Sequence, residues 1–189
     1  MILVIRPSIL SDIERLVSMS KVKRIAYEKV QPQFWRSAGD GAEELQSTWF
    51  KELLSNKDYI MLTAVQKSSL RTEGQAQQEA IQENSGSPRH FVAGDDDRVV
   101  GFIIGKSIEA PEVYNPGGLT LMIDDFCVTS EDLWPSVGAK LIENIKQEAR
   151  HKGAVQILVV CGAHDDLKHQ FLIKQNLSIS SEWFVGNIV

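Results

Sequence analysis

Apolar positions fall along this chain in two rhythms, and their alternation outlines the fold. Val137, Leu141, Ile142, Ile145 and Ala149 recur at the spacing of one helical face. Pro135 suits the first turn of such a helix, where no N–H is needed. Arg150, His151 and Lys152 complement the dipole at its other end, just before Gly153. Upstream, residues 120–129 read as an apolar strand interrupted by two aspartates. Downstream, residues 155–160 are an almost unbroken aliphatic run, the pattern of a strand covered on both faces. Residues 119–162 are therefore expected to form a right-handed βαβ unit.

Before that unit, residues 2–6 predict a short strand ended by Pro7. Ser11-Asp12-Ile13-Glu14 offers a capping box for a helix with Ile13, Leu16 and Val17 inward. Residues 21–30 continue in helical style until Pro32, which must bend or break the helix. Residues 40–55 predict a second helix with Leu45, Trp49, Phe50, Leu53 and Leu54 on one side, and Trp49 in the core. Residues 59–66 are strand-like. Residues 67–89 are rich in Gln, Ser, Glu and Gly and have almost nothing to bury, so they read as a flexible insertion. Residues 90–93 and 98–104 suggest a hairpin about the Gly94-Asp95-Asp96-Asp97 turn. The pattern leaves open whether 59–66 or 90–93 is the true second strand.

After a proline-containing loop at 110–118 and the βαβ unit comes a helix over 164–175, with Leu167, Phe171 and Leu172 inward. Residues 178–189 predict a closing strand. The order is β-α-α-β-(insertion)-β-β-β-α-β-α-β. It predicts an α/β (α+β) fold with a mixed, mostly antiparallel central sheet flanked by helices, one domain spanning residues 1–189.

Composition narrows the function classes. A chain of 189 residues can bury a substantial core. Its formal net charge of −5, with no Lys/Arg cluster, argues against nucleic acid as the main partner. The N-terminal apolar run is too short for a signal peptide or a membrane span. Two cysteines make no disulfide framework, so Cys127 and Cys161 read as buried reduced thiols in a cytoplasmic protein.

The element order and the local text resemble the GCN5-related N-acetyltransferases (the GNAT superfamily). RVVGFIIG at 98–105 looks like that superfamily's third strand, with its VGF triplet. DDFCVTSEDLWPSVGAKLIENI at 124–145 looks like its central strand–loop–helix motif, and VQILVVCG at 155–162 resembles strand five. The family's loop pattern, Gln/Arg-x-x-Gly-x-Gly/Ala, falls on Leu133-Trp134-Pro135-Ser136-Val137-Gly138, followed by Ala139. Ser136 and Gly138 keep its small residues; Leu133 departs from its polar first position.

The resemblance implies acetyl-CoA as co-substrate. Its pyrophosphate would meet the helix start at Trp134, Ser136, Val137, Gly138 and Ala139, where backbone N–H groups and the helix dipole favour an anion. Its pantetheine arm would pair with the backbone of Phe126, Cys127 and Val128, where strands four and five part. Glu131 and Asp132 put negative charge beside that anion site, or else complement the helix dipole.

The implied reaction moves an acetyl or other short acyl group to a primary amine by direct attack. It needs a proton acceptor and stabilisation of the oxyanion and thiolate. Asp124 and Asp125 are the candidate bases. Being adjacent, they should point to opposite faces, with Asp124 on the Phe126 side in an apolar cleft. The alternative for them is an Arg or Lys partner from helix one or the hairpin. Leu172 stands where the family carries a proton-donating Tyr. Asn176-Leu177 replaces its Gly-Phe pair, with Asn still able to cap in the left-handed conformation.

His164 and His169 lie five apart, the wrong spacing for a shared metal on one helix face, and no metal is expected. Tyr27, Phe34, Trp35 and Tyr114 are the aromatic candidates for an acceptor pocket. Three functional readings follow: an N-acetyltransferase, a catalytically impaired acyl-CoA-binding or regulatory module, and a cysteine hydrolase built on Cys161-Gly162-Ala163-His164. The partner expected is a small-molecule or peptide amine, with no nucleic acid or membrane; a homodimer is compatible.

Overall fold

The computed structural model describes residues 2–67, 98–110 and 113–188. Five strands, β1 (Ile2–Pro7), β2 (Tyr59–Lys67), β3 (Arg98–Ile108), β4 (Leu119–Val128) and β5 (Ala154–Val159), form one sheet in sequence order. The first three pairings are antiparallel and the last, β4 with β5, is parallel. Residues 59–66 are thus the second described strand. The expected strand at 90–93, its turn and nearly all of the expected insertion lie outside the described residues.

The helices are α1 (Ile13–Val30), α2 (Pro32–Trp35), α3 (Ala42–Ser55), α4 (Ala139–His151) and α5 (Asp166–Lys174). They cover the sheet from both sides. Leu62, Ile103, Leu121 and Ile123 face α4 and α5, packing with Leu141, Ile142, Ile145 and Phe171. Met61, Phe102 and Ile104 face α1 and α3, packing with Leu16, Phe50 and Leu53. All five residues of the predicted α4 stripe are buried. Each fully buried aliphatic side chain there contributes roughly 1.5–3 kcal/mol. Gly101 explains how α4 comes so close. A Cβ at that position would lie 2.8 Å from Val137 Cγ1 and 3.0 Å from Leu141 Cδ1.

Several local expectations are corrected. The helix-opening cap is not Ser11 with Glu14. A 3-10 turn, Leu10–Asp12, precedes α1, and the Asp12 carboxylate accepts from Ile9 N–H at 2.9 Å. Arg6 on β1 engages both oxygens of the same carboxylate at 2.7 and 2.8 Å, which fixes it there. α1 runs unbroken to Val30, and Pro32 opens α2 instead of kinking α1. On α3 only Phe50 and Leu53 are fully buried. Leu45 is 67% exposed and Trp49 36%, so Trp49 sits at the rim and not in the core.

β5 is covered less fully than its composition suggests, with Val155 54% exposed. It is the last strand of the described sheet, because residues 178–188 form no strand and are exposed. An outermost strand has no neighbour on one flank, and its aliphatic side chains lose cover there.

Candidate active site in a parted sheet

β4 pairs with β5 only from Leu119 to Ile123. The last ladder partners are Ile123 and Val159, and Val160 N–H closes the contact on Ile123 O at 2.8 Å. β4 nonetheless stays paired with β3 as far as Val128. The flank of β4 facing β5 is therefore released at Asp124, and the two strands diverge. The release coincides with a β-bulge. Asp125 opposes Ile104 and Ile123 opposes Gly105, leaving Asp124 as the extra residue. A bulge changes which face the following residues occupy. Ile123 packs towards α4, as do Phe126 and the half-buried Val128, whereas Asp125 and Cys127 turn towards α1.

The two candidate bases consequently meet different surroundings. Asp124 is exposed on the bulge and not in an apolar cleft. Asp125 is 4% exposed and held by α1: Lys23 Nζ donates to Oδ1 at 2.6 Å and Ser20 Oγ to Oδ2 at 2.8 Å. Gln46 of α3 donates in turn to Ser20 Oγ at 2.8 Å. Burial pushes Lys23 down most strongly of any single cause, but the charge of Asp125, joined by Cys127, the Asp125 hydrogen bond and Asp124, holds the ammonium above its ordinary range. The lysine partner from helix one, weighed above as the alternative, is what Asp125 has. Cys127 lies against the same carboxylate, and burial followed by that charge pushes its thiol up to about 12.

Tyr27 ties α1 to the end of β5. Its hydroxyl donates to Asp165 Oδ2 at 2.6 Å and accepts from Gly162 N–H at 3.4 Å. Trp35 meets the Tyr27 ring edge-on, with centroids 5.0 Å apart, and Phe34 meets Trp35 at 4.8 Å. A cleft of about 570 Å³ opens between α1 and the parted strands, lined by Lys23, Tyr27, Trp35, Phe126, Trp134 and Asp165, among others. Two of the four aromatic acceptor candidates, Tyr27 and Trp35, thus line it. Phe34, 50% exposed, and Tyr114, 70% exposed, are not among its lining residues.

At the head of α4 the chain passes through one wide turn, Trp134–Gly138, before regular helix begins at Ala139. Ser136 is exposed there, Ala139 half-buried, and Val137 and Gly138 buried. Trp134 folds inward, edge-on to Phe126 at 4.9 Å and beside Phe171 at 5.0 Å. Gly138 makes room for that packing, since a Cβ on it would lie 2.8 Å from Trp134 Cε3. Glu131 and Asp132 remain exposed.

The residue that sequence reading missed is Lys168. The sequence pattern predicts an α5 stripe of Leu167, Phe171 and Leu172. In the fold Leu167 is 47% exposed, and Lys168, 2% exposed, takes its place beside Phe171 and Leu172. Asp165 caps α5 by accepting from Lys168 N–H at 3.2 Å, which sets the helix phase. The Lys168 ammonium then sits in the parting itself, donating to Phe126 O at 3.3 Å and Val160 O at 3.4 Å. It lies 5.5 Å from the Phe126 ring centre and 5.9 Å from that of Trp134. Burial, and then the charge of Lys23, push its pKa down. A polar residue inside an apolar helical stripe was the only sequence signal for it.

The Asn176 cap is present: φ is 61°, and Leu177 N–H returns to Leu172 O at 3.1 Å. Among the described residues no His, Cys, Asp and Glu cluster could hold a metal ion. No described helix is long and apolar enough to cross a membrane.

A sheet that parts beside a helix start, with an open cleft at the parting, is the arrangement of a GNAT fold. The profile described as the acetyltransferase (GNAT) family matches residues 53–174, and this chain belongs to that family. Solved structures share the fold at low identity. A four-substitution variant of a Bacillus halodurans protein superposes with a TM-score of 0.69 at 13% identity, covering 98% of this chain and 99% of that one. A predicted acetyltransferase from Clostridium acetobutylicum, solved with acetyl-CoA, gives 0.64 at 14% identity, covering 98% and 96%. An aminoglycoside acetyltransferase from an uncultured soil sample, in complex with sisomicin, gives 0.58 at 15% identity, covering 99% and 97%. No curated protein matches the chain.

Proposed function

We propose that this acyltransferase-family protein moves an acetyl or other short acyl group from acyl-CoA to a primary amine on a small molecule or peptide. The observation that carries the reading is the released β4 flank opening onto the cleft. An extended pantetheine arm can add itself there as a strand would, using the backbone of Phe126, Cys127 and Val128. The amides at Ser136, Val137, Gly138 and Ala139, at the positive end of α4, would receive the pyrophosphate, with Trp134 at their side. The thioester carbon would lie over the cleft, and the amine would enter past Tyr27 and Trp35. Phe34 meets Trp35 edge-on, but neither it nor Tyr114 lines the cleft.

Both Asp125 oxygens accept from α1 groups, so Asp125 organises the wall of the cleft. Asp124, exposed at the bulge and outside the cleft lining, would have to receive the amine proton through water. The test is calorimetric titration with acetyl-CoA, followed by measurement of released thiol across a panel of primary amines. Binding together with amine-dependent thiol release supports the reading, and absence of binding at millimolar acetyl-CoA removes it.

A second reading, a module that binds acyl-CoA without turning it over, is favoured by one feature. Leu172, in place of a proton-donating Tyr, is 8% exposed and packed in the core. Binding without thiol release would select it. The hydrolase reading loses support. Burial pushes Cys161 up to about 11 despite the pull of Lys168, so little thiolate is present at neutral pH.

A further inference from the structure

We infer that Lys168 sets the affinity of the cleft for acyl-CoA, because its ammonium occupies backbone acceptors that the pantetheine arm would use. The inference rests on the acyl-CoA reading above and goes beyond it by naming what the ligand must displace. Where two strands part, each leaves unpaired carbonyls that must find a donor or remain costly when buried. Here a donor comes from inside the protein. Lys168 Nζ joins Phe126 O on β4 to Val160 O just past β5, one acceptor from each wall of the parting.

The rings of Phe126 and Trp134 stand by the same ammonium, and Trp134 meets Phe126 edge-on. The parting is therefore bridged at this level, with both hydrogen-bonding and aromatic partners supplied. A pantetheine arm pairs through amide N–H and C=O groups, like a peptide strand. It can take Phe126 O only if the ammonium gives it up. Displacement also strips a buried cation of its acceptors, a cost the ligand must cover from its own contacts. The lysine thereby acts as an internal competitor, and native affinity is expected to be weak.

Titration of coenzyme A and acetyl-CoA into the native protein, Lys168→Ala and Lys168→Met tests this. Alanine clears both the charge and the stem. Methionine keeps an unbranched stem without a donor and leaves both carbonyls free. Lys168→Ala should bind at least about tenfold more tightly than native, and Lys168→Met several-fold more tightly. Circular dichroism and melting report whether each variant is folded, and if alanine collapses the site the methionine variant decides. Native binding as tight as that of both variants, or weaker binding by the folded variants, overturns the role of Lys168 while leaving the acyl-CoA reading standing. No binding by any of the three proteins at millimolar ligand overturns both.

Discussion

The two halves of β4 belong to one strand and do opposite things. From Thr120 to Ile123 it is paired on both flanks, and Leu121 and Ile123 are wholly buried against α4. From Asp124 to Val128 it keeps only β3, and polar groups from three helices converge on it: Ser20 and Lys23 from α1, Gln46 from α3 through Ser20, and Lys168 from α5. The first half is held by non-directional burial, the second by hydrogen bonds and charge in a partly dry setting. That difference teaches how a sheet can be opened without being lost. The Asp125 carboxylate and the Phe126 carbonyl, both in the opened half, each receive a named donor.

The largest effect should come from removing one side of the buried pair. Asp125→Ala leaves Lys23 without its carboxylate and should cost roughly 3–5 kcal/mol in urea unfolding. Asp124→Ala, at the exposed bulge one residue away, should stay within about 0.5 kcal/mol. Equal losses at the two positions would break the distinction between the bulge and the residue it turns inward.

A somewhat smaller loss is expected in the paired half. Leu121→Ala should cost about 3 kcal/mol through lost burial and the cavity left behind. It should do so independently of pH, since no charge is involved.

The smallest effect concerns pH. Lys23 is held above its usual 10.5 because the acidic groups around it, Asp125 first among them, together overcome the opposing effect of burial. A raised lysine contributes stability that is fully present below the unfolded value and is lost as pH rises through the folded one. Stability of the native protein should therefore fall above about pH 10.5 more steeply than that of a Lys23→Met, Asp125→Leu double variant. The difference should be on the order of 1 kcal/mol. Parallel curves would show that the pair does not hold the opened half.

The sequence was most legible where one physical term dominated. The α4 stripe, the strands on either side of it and the helix-ending Asn176 follow from apolar period and backbone preference, and all are in place. Legibility failed where neighbours in space set the outcome. Trp49 matches the α3 period yet sits at the rim, because the core beneath is filled by Phe50 and Phe102. Residues 178–188 have strand-like composition but form no strand in the fold.

The sequence by itself determined the run of elements from β4 through α5 and the aspartate pair on β4, because each is written in local period and chemistry. It also marked the weakened loop motif at Leu133. Only the tertiary structure decided that the strand bulges at Asp124, that Lys23 from a helix some hundred residues away claims Asp125, and that Lys168 bridges the parted strands. The reason is that bulge phase and buried charge pairing depend on which groups meet across the sheet. No local pattern encodes the partner of a buried lysine; the geometry of the folded chain selects it.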